Sequence, residues 1–134
     1  MYQPVPEPYD KHAELISYDR DQLLVYRLIT EVTQSTVAPI ADIARISPTG
    51  TAVQNARTST PETISRDGYH LTNDVGRYIA GLTFFGALTG ADIRHVTWAP
   101  EGVSEVAKRI AVESAVNALA VPYAVTPSQI TDKP

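Results

Sequence analysis

Apolar positions recur along this chain in short periodic runs divided by proline-bearing breaks. Over residues 19–36, Val25, Leu28, Ile29 and Val32 fall at i, i+3, i+4 and i+7. Arg27, Thr30, Glu31 and Gln34 repeat that spacing opposite, so the run predicts a helix with one packed and one wet face. Asp19 and Asp21 sit at its start, where negative charge meets the positive end of the helix dipole. Residues 42–47, short, isoleucine-bearing and bracketed by Pro39 and Pro48, predict a strand, and residues 51–59 a short helix. Asn73 and Asp74 are start signals and Gly90 a stop signal for the most apolar run, in which only Arg77 and Thr83 interrupt the circumference. A helix apolar nearly all round belongs in an interior, and Gly76, Gly81 and Gly86 point to close backbone contact, expected here with a sheet. Residues 91–99 predict a short extended segment, with His95 a surface or packing histidine. Residues 100–120 predict a last helix packing through Val103, Val106, Ala107 and Ile110. Residues 1–12, with Pro4, Pro6 and Pro8, predict an extended lead-in, and 125–134 a tail.

The chemistry concentrates in the polar turn Ser65-Arg66-Asp67-Gly68-Tyr69-His70-Leu71-Thr72, just ahead of that apolar run. A carboxylate three residues before a histidine can fold back across a tight turn and accept the Nδ1 proton. Nε2 then becomes the basic nitrogen, as a general base requires. Gly68 suits a sharp reversal that needs positive φ. Asp-Gly is equally an ordinary turn dipeptide, and a histidine at the mouth of a helix is often only a cap.

The run from Asp67 to Gly90 resembles the C-terminal block of the SGNH (GDSL-type) hydrolases, in particular a bacterial branch known as a domain of unknown function. Pro48-Thr-Gly-Thr-Ala-Val-Gln-Asn-Ala-Arg57 is similar to the segment that precedes that block. The resemblance implies that His70 is the base and Asp67 its orienting acid in a Ser-His-Asp triad. It also implies the C-terminal part of a three-layer, flavodoxin-like α/β fold, helix-rich with one or two strands in this chain. Gly50, Thr51, Asn55 and Arg57 would then lie at the rim of the site, although Asn55 and Arg57 read more readily as residues that hold the following loop. The departures matter as much. No Gly-Asp-Ser-like nucleophile block, glycine block or Gly-x-Asn-Asp-like block is present, so the chain carries the base half of a triad without a recognisable nucleophile.

Composition narrows the function classes. A net charge of −4 and a pI near 5.2 argue against a nucleic-acid partner, and scattered Lys and Arg offer no basic face. Without cysteine there is neither a disulfide framework nor a thiolate metal site, and His12, His70 and His95 stand too far apart for a zinc pair. The one-glycine turn at 48–51 is no phosphate loop. No cofactor, metal or membrane association is expected. Tyr9, Tyr18 and Tyr26 could line a carbohydrate surface but at this spacing read as packing residues. The N-terminus is unlike a signal peptide, while members of the resembled family are often secreted or periplasmic.

Together these readings predict one domain over 1–134, expected to be incomplete, because one buried strand cannot satisfy its own backbone. The functional expectation is a segment of an SGNH-type esterase acting on carboxylic esters, such as acyl or acetyl esters of carbohydrates, with a complementing N-terminal segment as partner. The alternative is a small helical interaction module whose run 74–89 docks on a protein.

Overall fold

A computed structural model of the chain describes residues 17–19, 21–59, 64–67 and 70–130. The proline-bearing lead-in, Tyr9 and Gly68 lie outside the described residues. Among the described residues four α-helices form: α1 (Gln22–Val32), running on into a π-helical turn (Thr33–Val37), α2 (Thr49–Arg57), α3 (Val75–Thr89) and α4 (Glu105–Ala120), with a 3-10 turn at Ile93–His95. Helices α2, α3 and α4 pack on one another around a core that includes Val53, Ile79, Ile93 and Ile110, each essentially inaccessible to water. Burial of side chains of this size contributes roughly 1.5–3 kcal/mol each.

The three-layer α/β expectation is not met. Among the described residues no strand ladder forms; the β contacts are the isolated antiparallel bridge Ser65–Leu71 and a single bridging residue at Ser47. Residues 42–47, expected as a strand, run irregularly across the C-terminal end of α3, where Arg45 donates to the Ala87 carbonyl at 3.2 Å. A strand persists only where a neighbouring strand satisfies its backbone groups, and among the described residues none pairs with 42–47 in a ladder. The partner expected for α3 was likewise a sheet, whereas its contacts are α4 and α2.

The packing explains these choices. On α4 the buried positions Ala107, Ile110, Ala111, Ser114, Ala115 and Ala118 follow i, i+3, i+4 spacing, and their small size lets neighbouring backbones approach. Its start is Ser104, whose hydroxyl accepts from the Ala107 amide, so residues 100–103 lie before the helix. Helix α3 begins at Asp74 and ends at Gly90 in left-handed conformation (φ 70°), as its start and stop signals predict. A side chain at Gly86 would press on Leu119 and Ile93. Yet Phe84, Phe85 and Leu88 remain exposed, so the apolar circumference of α3 is buried on one side only.

On α1 the packed face is rotated from the expected one, although Arg27, Glu31 and Gln34 are exposed as expected and Val25 and Ile29 are half-buried. Gln22, Tyr26, Thr30 and Thr33 are buried, whereas Leu28 and Val32 are exposed, Val32 to 54%. The buried stripe is turned by about 100° from the apolar one. A buried hydrogen bond of 2.9 Å between the Tyr26 and Thr51 hydroxyls ties α1 to α2 and makes that stripe the inner one. The π-helical turn follows where Thr33 and Ser35 hydroxyls bond back to the carbonyls of Ile29 and Glu31.

Candidate functional site

A short hairpin holds the candidate catalytic pair. The Thr72 amide donates to the Ile64 carbonyl (2.9 Å) and the Arg66 amide to the His70 carbonyl (3.0 Å), closing the loop that carries Asp67 and His70. Ile64 is buried and anchors one arm. The other arm runs into α3, where the Thr72 hydroxyl accepts from the Gly76 amide at 2.9 Å. A Cβ at Gly76 would collide with the Ile64 carbonyl, so this glycine is what lets the hairpin lie against the helix.

Within the hairpin both Asp67 oxygens meet His70. Oδ1 accepts from the His70 backbone amide at 2.6 Å, and Oδ2 lies 2.7 Å from the ring Nδ1. The first contact fixes the carboxylate on the local backbone, and the second favours a proton on Nδ1, leaving Nε2 as the basic nitrogen. The side chains are 57% and 47% exposed. Solvent at that level weakens the electrostatic part of the pairing, so its value is chiefly orientation.

Spacing alone does not produce this arrangement, because Asp92-x-x-His95 repeats it within the same chain. There the Asp92 oxygens bind the Arg94 side chain at 2.8 and 2.9 Å, and His95 approaches only through Nε2, at 3.5 Å. The Arg94 contacts hold the Asp92 carboxyl below the usual range, as does the Arg94 backbone amide. His95 is a surface histidine, with 85% of its side chain exposed.

The four residues expected at the site's rim belong to α2. Gly50, Thr51 and Asn55 are fully enclosed in α2, and Arg57 is half-buried in its last turn. Thr51 Oγ1 bonds the Pro122 carbonyl at 2.7 Å as well as Tyr26. Asn55 donates to the Ser114 carbonyl at 3.2 Å and accepts from the Thr126 amide at 2.7 Å. The Thr51 and Asn55 side chains clamp helices and the C-terminal segment together, whereas the expectation for Asn55 was a hold on the loop that follows it. The expected tail is held from Thr126 to Ile130, where Ser128 and Gln129 bond to Glu113. Ser65, the serine nearest His70 in sequence, is buried, and its hydroxyl has no hydrogen-bond partner. Among the described residues no three His, Asp or Glu side chains gather as metal ligands, and no helix is long and apolar enough to cross a membrane.

Sequence reasoning missed a groove of about 390 Å³ beside the first turns of α3, walled by Tyr78, Leu82, Phe85, Val96 and Trp98. Its one legible signal was Arg77, the cation in an otherwise apolar run. A second, more open cleft of about 540 Å³ lies between residues 43–48 and the C-terminal ends of α3 and α4.

The pattern of a family described as a domain of unknown function, DUF4886, matches residues 8–118. The chain belongs to the DUF4886 family. A crystal structure of a DUF4886 family protein from Bacteroides uniformis, solved at 1.50 Å, is 37% identical and superposes with a TM-score of 0.86. The match covers 94% of this chain and 49% of that one, so the chain spans about half the length of this DUF4886 relative. None of the curated proteins compared matches it.

Proposed function

We propose that this DUF4886 chain supplies the base half of an SGNH-type serine esterase: His70 as general base and Asp67 as the acid that orients it. The observation that carries the reading is the double engagement of Asp67 with the His70 amide and ring Nδ1. Triads of this kind recur on unrelated folds and are recognised by geometry, so the all-helical architecture does not count against the pair. In the reaction His70 Nε2 takes the proton of an attacking serine hydroxyl and returns it to the leaving alcohol, while Asp67 stabilises the imidazolium. Serine and oxyanion donors come from a complementing segment, and the substrate is a carboxylic ester, such as an acylated carbohydrate.

The isolated chain, lacking a recognisable nucleophile, should hydrolyse p-nitrophenyl acetate no faster than its His70→Ala variant. Grafted in place of the matching half of the Bacteroides uniformis relative, it yields a protein whose hydrolysis of that ester falls about 100-fold or more with His70→Ala. A folded chimera that is inert, or indifferent to His70, contradicts the proposal. A second reading, a protein-docking module, draws on the exposed Phe84, Phe85 and Leu88 of α3. Self-association or partner capture that disappears with Phe84→Ser and Leu88→Ser would favour it.

A further inference from the structure

The groove beside α3 has a defined polarity. Arg77 and Gly81 fall at i and i+4 on one face of the first turns of α3, and Asn73, in the turn just before the helix, lines the same groove. Among the described residues the Arg77 guanidinium and the Asn73 amide make no side-chain hydrogen bond or ion pair, so two groups suited to a carboxyl face the groove unengaged. Arg77 is the one charged side chain among the described residues that line the groove, so an anionic head is directed to it.

The walls are aromatic and fixed. Tyr78 and Trp98 meet edge to face, centroids 6.0 Å apart at 70°, and the Tyr78 hydroxyl donates to the Trp98 carbonyl at 2.9 Å. Lys108 holds the same segment through the Thr97 carbonyl at 2.9 Å. Trp98 is nonetheless 68% exposed, and Phe85 stands exposed across from it. At Gly81 a Cβ would meet nothing within 4 Å, which leaves open space between them. The volume falls within the range of small-molecule sites.

We infer that this groove binds the aromatic acyl arm of a carboxylic acid or ester, its ring between Trp98 and Phe85 over Gly81 and its carboxyl at Arg77 and Asn73. Ring edges and faces of three aromatic side chains suit a flat ring better than an alkyl chain. Asn73 follows His70 by three residues, which puts their Cα atoms within about 11 Å. That the arm belongs to a substrate rests on the esterase reading; the binding itself does not.

Trp98 is the chain's one tryptophan, so its emission reports the groove directly. Titrating the full chain with 3-phenylpropanoate should give a saturable blue shift. Affinity should fall about tenfold in Arg77→Gln, and the shift should vanish in Gly81→Leu, whose far-UV circular dichroism should match the parent. No emission change with 3-phenylpropanoate overturns the proposal, as does octanoate binding with equal affinity, or a shift that survives Gly81→Leu. Because the titration involves no turnover, binding of 3-phenylpropanoate beside a chimera indifferent to His70 would sink only the esterase reading, and a His70-dependent chimera without that binding only this one.

Discussion

Asn55 and Asp67 are both short polar side chains that engage two partners, but in opposite settings. Asn55 is wholly enclosed and satisfies a helix carbonyl and a loop amide that would otherwise be buried without partners. Asp67 is half in water and holds a ring in place. Losing a buried partner leaves the full desolvation cost of the groups that remain. Asn55→Ala should therefore lower the unfolding free energy by about 2–4 kcal/mol, measured by urea denaturation. A stability within about 0.5 kcal/mol of the parent would contradict the clamp and return Asn55 to a ligand-facing role. The Asp67–His70 contact was legible as a local one, because a carboxylate and a ring three residues apart can meet across a turn. The sequence did not distinguish that pair from Asp92–His95, since the difference lies in Arg94 competing for the second carboxylate.

Among the elements, helix ends were easier to read than helix faces. Asp74 and Gly90 bound α3 because capping is local chemistry of one or two residues. Which side of α1 packs was hidden, since it depends on Tyr26 reaching Thr51, distant in sequence. The strand expected at 42–47 failed for the same reason: its fate depended on a neighbour that short-range pattern cannot supply. The cap at Asp74 carries a pH dependence. A side-chain hydrogen bond with Thr72, opposed in part by burial, and one from the Val75 amide hold its carboxyl below the ordinary value. With the folded pKa depressed, the unfolded chain takes up the proton first. The stabilisation is present above about pH 4 and is lost as pH falls through the folded value. The urea midpoint should accordingly fall in acid, and less steeply in Asp74→Asn, which caps without titrating. An identical acid limb in both proteins would show that Asp74 is not the cause.

Across the whole molecule, apolar side chains of α1 and α3 remain in water on a chain about half as long as its DUF4886 relative. The α/β fold implied by the resemblance was overturned, because it assigned to this segment a sheet that the described residues do not form. What survives is a local device, a hairpin pinned to the start of α3 that aims one imidazole. Its most direct test is the protonation of that ring, read by long-range nitrogen–proton correlation NMR on the full chain at a pH where His70 is neutral. The account predicts the Nδ1–H tautomer for His70 in the parent, a loss of that preference in Asp67→Ala, and no such preference at His95. A parent protein with its His70 proton predominantly on Nε2 would contradict it.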